Sequence, residues 1–217
     1  VKPSNLLISD SGRGKLSDFG LVARMGAGGG ASAAGYRFHL APELLHGGAS
    51  GVATDVFATG VTMYRLFNGD DLLPKYENFD ELDQMILSGE YPNRELYQPF
   101  IPRRLKRAIN KAMELDPSDR FSSASSLRHA VEQVRVSVDW WVEVVENSAI
   151  WHGQSESHEF EITMRTIARS WSIEIRRCRI GSQLRRVAAD YSSGTVPARR
   201  RTALAKLMSR IATTGRY

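Results

Sequence analysis

The spacing of the apolar residues changes near residue 136, and this change constrains the fold more than any other feature of the chain. Before it, apolar residues recur at intervals of three or four, which is the spacing of an amphipathic helix. One such set is Phe57, Val61, Tyr64 and Phe67. After it, apolar and polar residues alternate, as in a strand with one buried face. One such set is Val138, Trp140, Val142 and Val144. The sequence therefore predicts an α+β chain, with a helical part followed by a sheet.

The first part, residues 1 to 136, is predicted to hold a short β-hairpin, a loop and a mainly helical body. Apolar residues flank a turn that contains Gly12 and Gly14, which is typical of two short strands. The loop RMGAGGGASAAG has no periodicity and little to bury, so it is expected to be mobile. Helices are predicted in DVFATGVTMYRLFNG, LDQMILSG and RRLKRAINKAMEL, and Ser123 is expected to cap a fourth.

The second part, residues 137 to 217, is predicted to be a small α+β extension. Alternation around Trp140, Phe160 and Ile173 predicts three strands, which polar loops would join into an antiparallel meander. A short helix is predicted in TALAKLMSRIA, because its apolar residues fall on one side. They are Leu204, Leu207, Met208 and Ile211.

Several short motifs follow one another in the first part in a set order. They are Lys2, Pro3 and Asn5 in VKPSN, Asp18 in DFG, Glu43 in APE, Asp55 followed by Gly60, and Arg120 in DPSDRF. Each motif alone occurs by chance in many proteins, but the order and the intervals together resemble the second half of a protein kinase domain. The resemblance covers about residues 1 to 136, and the ending DPSDRFSSASSLRHAV is most similar to bacterial, eukaryotic-type serine/threonine kinases.

The resemblance implies a site for ATP and magnesium at the start of the chain. Phosphoryl transfer depends on positioning the reactants and on neutralising phosphate charge, and Mg²⁺ prefers carboxylate and carbonyl oxygens as ligands. By resemblance, Asp18 chelates Mg²⁺, Asn5 holds a second metal ion, and Lys2 reaches the transferred phosphate. Taken singly, Asp18 and Asn5 are better explained as turn or cap residues and Lys2 as a solvated surface charge; the ordered set favours the metal site.

Other matching residues are expected to support the site. Glu43 and Arg120 match a pair that, in the family, forms a buried ion pair beneath the substrate loop. Asp55 matches a residue that accepts hydrogen bonds from the backbone of the catalytic loop. An ordinary helix N-cap is the alternative for Asp55.

The chain also departs from the family pattern. The family's catalytic aspartate lies two residues before the lysine, in a His-Arg-Asp triplet that would immediately precede Val1, and the glycine-rich nucleotide loop and strand lysine also belong upstream. The chain by itself is therefore expected to be inactive. Tyr36 stands where serine/threonine kinases usually carry a threonine near the lysine, which puts standard substrate docking in doubt. Ser32 is the hydroxyl available for activation by phosphorylation, although a plain flexible loop is the favoured interpretation.

The sequence thus predicts part of a serine/threonine protein kinase that, in the full-length protein, transfers the γ-phosphate of Mg-ATP to a protein substrate. A pseudokinase or scaffold is the first alternative. Retention of Lys2, Asn5 and Asp18 argues against it, and Tyr36 argues mildly for it. A truncated fragment without function is the second alternative. It would consist of the carboxy-terminal lobe of the kinase domain, and the surface that this lobe normally presents to the missing amino-terminal lobe would be exposed and would favour aggregation.

The net charge of +5 is unevenly distributed along the chain. Residues 1 to 164 hold 16 basic and 22 acidic residues, whereas residues 165 to 217 hold 13 basic and 2 acidic residues. An anionic partner, such as a nucleic acid, is therefore possible only for the basic tail. Docking of the tail on the acidic first part is at least as compatible with these charges.

Other features indicate a cytoplasmic protein. No apolar run approaches the roughly eighteen residues that a membrane span needs. The single cysteine, Cys178, cannot form an internal disulfide, which suits a reducing compartment. The five histidines show no metal-ligand spacing with cysteines or carboxylates.

Overall fold

The computed structural model describes residues 1–20, 36–188 and 191–214. The chain divides into two compact units, Val1–Val134 and Arg135–Tyr217. That these units are domains with a boundary at residue 136 stays a prediction. The loop RMGAGGGASAAG, with Ser32, lies outside the described residues, so its mobility and the switching role of Ser32 also stay predictions.

The first unit begins with the predicted β-hairpin. Strand β1, Leu6–Ile8, pairs antiparallel with β2, Gly14–Leu16, so that Leu6 lies opposite Leu16. Gly12 in the turn has a φ of 74°, a left-handed conformation that glycine adopts without steric cost. All six strand residues are exposed, and Ile8 retains 80% of its accessible surface. The hairpin is therefore held by its backbone pairing and not by burial.

Five α-helices follow among the described residues of the first unit. They are α1, Pro42–Leu45; α2, Val52–Asn68; α3, Phe79–Ser88; α4, Arg103–Ala112; and α5, Ala124–Glu132. The three helices predicted from apolar spacing are α2, α3 and α4. The prediction for Ser123 is confirmed, because its hydroxyl accepts a hydrogen bond from the Ser126 amide at the start of α5.

The core of the first unit forms where α2 packs against α4. Phe57, Val61 and Tyr64 are fully buried on α2, in one cluster with Ile109 and Met113. At Gly60 the two helices approach so closely that an added Cβ would lie 2.7 Å from Met113 Cγ and 2.9 Å from Ala112 Cβ. The apolar spacing predicts that Leu66 and Phe67 in the last turn of α2 are buried. They are instead 58% and 37% exposed.

The second unit is an antiparallel sheet of six strands followed by one helix. The strands are β3, Asp139–Val145; β4, Ser148–Gln154; β5, His158–Ile167; β6, Ser170–Arg179; β7, Arg185–Arg186; and β8, Ser192–Gly194. They are ordered β3-β4-β5-β6-β7, with β8 also paired to β6. The helix is α6, Pro197–Thr214.

The prediction of three strands is wrong, although the antiparallel arrangement is as expected. Alternating hydrophobicity does not reveal strand β4, because two of its three buried residues, Ala149 and Gly153, are small and are not typical of a strand. Gly153 is required there, since an added Cβ would lie 2.6 Å from the Trp140 ring. Strands β7 and β8 span two and three residues, too short to give a period.

Helix α6 buries the four apolar side chains that the sequence placed on one side of it. Hydrogen bonds between described residues attach this end of the chain to the sheet. Arg200 Nη1 donates to Thr166 Oγ1 at 2.8 Å, and Trp171 Nε1 donates to the Val196 carbonyl at 3.0 Å. Among the residues described in both units, no helix has the length and apolar character needed to cross a bilayer.

Candidate functional site

The two proposed metal ligands flank the hairpin and meet at its open end. Asn5 closes a 3₁₀ turn immediately before β1, and Asp18 follows shortly after β2. Because antiparallel pairing brings these ends together, Asn5 Nδ2 donates to Asp18 Oδ2 at 3.3 Å. The Ser17 amide and hydroxyl also donate to the Asn5 carbonyl, at 2.8 and 3.0 Å. The hairpin register therefore sets the amide beside the carboxylate.

The backbone at Asp18 has an uncommon conformation. Its φ is 62°, in the left-handed region that non-glycine residues seldom occupy, at a cost of about 1 kcal/mol. The Asp18 side chain is exposed, and its Oδ1 accepts a hydrogen bond from the Gly20 amide at 3.4 Å. Strained residues of this kind cluster at functional sites, so this residue is a candidate for direct contact with a ligand.

The donor set fits a magnesium ion that shares its coordination with phosphate and water. The described residues contain no group of three or more His, Cys, Asp or Glu side chains able to hold a metal ion. Asp18 and Asn5 instead offer one carboxylate and one amide at a solvent-exposed position. Mg²⁺ typically takes one or two carboxylates and completes its octahedron with water and substrate phosphates.

Lys2 lies one turn before Asn5 and contacts Tyr36. The Asn5 amide donates to the Lys2 carbonyl at 3.0 Å, which fixes the backbone between the two residues. The Lys2 ammonium lies over the Tyr36 ring, 5.2 Å from its centroid, at a separation typical of a cation–π contact. The ring itself packs on Phe38 and His39, with centroids 4.8 and 5.4 Å apart. Tyr36 therefore contacts Lys2 directly.

The ring of His39, which packs against Tyr36, is buried near the charged side chains of Arg65 and Asp70. His39 is only 5% exposed, and neither of its ring nitrogens has a hydrogen-bond partner among the described residues. Burial, reinforced by the positive charge of Arg65, lowers the pKa of His39 to about 3. Arg65 is itself held by Asp70 through two hydrogen bonds of 2.7 and 2.6 Å, which lower the pKa of Asp70. His39 is therefore neutral at physiological pH.

We expect the stability of the first unit to fall as the pH drops from about 6.5 towards 3 because of His39. Its pKa is lower in the folded chain than in the unfolded chain, so the unfolded chain takes up a proton first across this range. Denaturant unfolding at pH 7 and pH 4.5 measures the loss, on the order of 2 kcal/mol. In His39→Phe this pH dependence should be much smaller, whereas the exposed His46→Gln should retain it. Equal pH dependence in all three proteins would contradict the assignment.

Arg120 and Glu43 form an ion pair in the interior of the first unit. The Arg120 side chain is fully buried, and its two Nη atoms donate to the two Glu43 carboxylate oxygens at 2.8 Å each. Its other hydrogen bonds go to the carbonyls of Ala53, Glu114 and Leu115, at 2.9, 2.7 and 3.0 Å. One guanidinium therefore joins α1, the start of α2 and the segment after α4.

Asp55 does not cap α2. The N-cap is Gly51, whose amide donates to Thr54 Oγ1 at 2.6 Å, so the N-cap alternative for Asp55 is wrong. Asp55 lies exposed in the first turn of α2, where the helix dipole stabilises a negative charge. Its carboxylate has no hydrogen bond to a described residue, and its role towards the catalytic-loop backbone stays a prediction.

Sequence reasoning missed three groups around the site. Besides His39, these are the Arg65–Asp70 pair and the Arg37–Asp83 pair, which connects the segment before α1 to α3. Arg37 and Asp83 are 46 residues apart and carry no shared motif. No signal in a single sequence would have joined them.

Two arginines of the second unit, Arg176 and Arg186, have acidic partners. Arg176 lies 3.4 Å from Glu161 and 3.1 Å from Glu174, and Arg186 lies 3.4 Å from Glu174. Fewer arginines are therefore available to a partner than the count of basic residues indicates. Cys178 is buried and forms no disulfide.

Comparison with known proteins identifies the first unit. Residues 1–131 match the model of the protein kinase domain. The serine/threonine-protein kinase PknK of Mycobacterium bovis is 32% identical over 147 residues, which are 64% of this chain and 13% of that protein. PknL of Mycobacterium tuberculosis is 30% identical over 144 residues, 62% of this chain and 34% of that kinase. CBL-interacting protein kinase 8 of Oryza sativa is 35% identical over 125 residues, 56% and 27% of the two chains.

The chain thus spans only about a third or less of the length of these relatives. The matched region holds the hairpin with Asn5 and Asp18, the buried ion pair and all the helices of the first unit except the last residue of α5. With more than half of its residues matched, the chain belongs to the protein kinase domain family and carries a partial kinase domain in residues 1–131.

Proposed function

We propose that the protein containing this chain is a serine/threonine kinase that transfers the γ-phosphate of ATP to a protein hydroxyl. The observation that carries the proposal is the contact between the Asn5 amide and the Asp18 carboxylate at the open end of the hairpin. The relatives named serine/threonine-protein kinases support the same activity. The activity belongs to a protein in which the upstream half of the domain is present.

In this mechanism the residues of the chain bind and orient the reactants. Asn5 uses its Nδ2 to hold Asp18, which leaves its Oδ1 for a metal ion, and Asp18 contributes carboxylate oxygens. When bound by these residues, Mg²⁺ would supply positive charge to the phosphates. Lys2 adds a second positive charge, and the Tyr36 ring limits where its flexible side chain can reach.

The ion pair between Arg120 and Glu43 supports the substrate-binding side. Glu43 follows the segment Tyr36–Ala41 by two residues, so anchoring the carboxylate in the interior fixes the end of this segment. In the proposed kinase this segment places the protein substrate. Tyr36 fills the position of a smaller threonine, so the acceptor is expected to approach Lys2 past an aromatic ring.

A pseudokinase that binds nucleotide without transferring phosphate is the alternative, favoured by Tyr36. A nonfunctional fragment is favoured by the exposed apolar residues of the hairpin and of Phe19, which is 64% exposed. A cytoplasmic location and an anionic partner of the basic tail are further proposals, supported by the absence of a membrane span among the described helices and by the arginines of the second unit.

Phosphate transfer from labelled ATP to a mixture of Ser/Thr peptides tests the proposal, with a protein that carries the whole domain. We expect transfer that requires Mg²⁺ and that Lys2→Ala lowers at least about tenfold, while the exposed Lys75→Ala leaves it unchanged. Mg²⁺-dependent ATP binding without transfer would favour the pseudokinase. Absence of both would leave the fragment interpretation.

A further inference from the structure

Strand β3 is an edge strand of the sheet in the second unit. β4 pairs with one side of β3, and no described strand pairs with the other. Three of its apolar side chains are exposed: Trp141 by 50%, Val144 by 70% and Val145 by 55%. The opposite edge differs, because it is formed by two short strands, β7 of two residues and β8 of three.

Edge strands usually carry features that prevent pairing with another chain. Short length, charged side chains (lysine especially), proline and bulges are the common ones, and β3 has only the carboxylates of Asp139 and Glu143. Asp139–Val145 is seven residues long and contains no Lys, Arg, Pro or Gly, and its pairing with β4 is continuous in register. The edge is long and regular and has apolar residues on both faces, so it favours addition of a further strand whose charges are compatible with Asp139 and Glu143.

The charges of β3 decide how a second copy of the strand can pair with it. In an antiparallel pair related by a two-fold axis perpendicular to the sheet, one residue lies on the axis opposite itself. With Trp141 on the axis, Asp139 faces Glu143 of the second copy, and with Glu143 on the axis, two glutamates face each other. Like charges directly opposite one another destabilise a sheet. Both registers are therefore unfavourable.

The register centred on Val142 has neither fault. It pairs all seven residues of the strand, whereas centring on Trp141 or Glu143 pairs five. Val142 faces its own copy, and Trp140 faces Val144 on the same side of the sheet. On the other side, Asp139 faces Val145 and Trp141 faces Glu143. Every acidic residue thus faces an apolar one, and the apolar pairs are of the aromatic and β-branched kinds that stabilise sheets.

We propose that this chain forms a two-fold symmetric dimer in which β3 pairs antiparallel with β3 of a second copy, centred on Val142. The two sheets then form one continuous sheet, and the exposed Val144 side chains pack against Trp140 of the other copy. The proposal rests on the second unit and is independent of the kinase activity.

Site-specific cross-linking tests the register. In a Cys178→Ala chain, Val142→Cys places the two new thiols opposite each other, with Cα atoms about 5 Å apart, within disulfide range. Val144→Cys is the matched control, since the two copies of residue 144 lie about 14 Å apart along the strands although this side chain is more exposed. Mild oxidation should cross-link Val142→Cys at least about fivefold more than Val144→Cys. Equal cross-linking of the two variants would overturn the register.

Sedimentation of the unmodified chain tests the dimer itself. At about 100 µM, a concentration suited to a small interface, we expect twice the mass of the 24.2 kDa chain. Val144→Glu should raise the dissociation constant about tenfold, because it adds two carboxylates to an acidic interface. Ile8→Glu, on the exposed hairpin of the first unit, should leave the constant unchanged. A monomer at all concentrations, or dissociation by Ile8→Glu instead of Val144→Glu, would overturn the proposal.

Discussion

Replacing Arg120 with methionine is expected to lower the free energy of unfolding of the first unit by about 3 to 5 kcal/mol. The substitution preserves much of the side-chain volume but leaves the Glu43 carboxylate and three backbone carbonyls without their buried donor. An uncompensated charge in the interior costs more than the lost pair itself contributes. Denaturant unfolding followed by far-UV circular dichroism measures the loss.

The chain contains an internal control for this measurement. All four tryptophans lie in the second unit, at positions 140, 141, 151 and 171, so their fluorescence reports on that unit alone. Arg128→Met is the matched variant, because Arg128 and its partner Glu132 are 72% and 60% exposed and the change should be below about 0.5 kcal/mol. Equal effects of the two substitutions would show that the Arg120 pair contributes little to the fold.

Replacing Asp18 with asparagine is expected to reduce phosphate transfer at least about 100-fold in a protein that carries the whole domain. Asparagine retains the size of the side chain and can still pair with Asn5, but it removes the negative charge that attracts Mg²⁺. Initial rates at saturating ATP and varied Mg²⁺ measure the effect.

Asp10→Asn is the control for this substitution. Asp10 is an exposed aspartate in the turn of the same hairpin, so its replacement removes the same charge away from the proposed site. Its activity should stay within about twofold of the unmodified protein, since screened surface charges have small effects. Transfer that survives Asp18→Asn, or falls equally with Asp10→Asn, would exclude Asp18 as the metal ligand.

The helical half of the fold could be predicted from sequence because burial follows one periodic stripe. Val61 and Tyr64 on α2 and Ile109 on α4 fall on such stripes and are fully buried. Strand β4 could not, because the sheet uses Gly153 as the surface on which the Trp140 ring lies. A glycine selected by a cross-strand contact resembles a turn signal when only its own segment is considered.

The candidate site divides in the same way. Motif order identified Asn5 and Asp18 as a pair, and the pairing of β1 with β2 supplies the physical reason for their contact. The resemblance also placed Tyr36 near Lys2, whereas the burial of His39 and its contact with the Tyr36 ring depend on tertiary packing. Such contacts leave no periodic trace in one sequence, so only the structure reveals them.

Paramagnetic broadening by Mn²⁺ tests the central claim most directly, because it locates a bound cation without requiring catalysis. In the complete domain with ATP present, substoichiometric Mn²⁺ should broaden the side-chain amide signals of Asn5 before those of Asn93, which lies elsewhere in the first unit. Asp18→Asn should abolish this effect. Unchanged Asn5 signals, with broadening at another cluster of the domain, would contradict the assignment of Asn5 and Asp18 as the metal site.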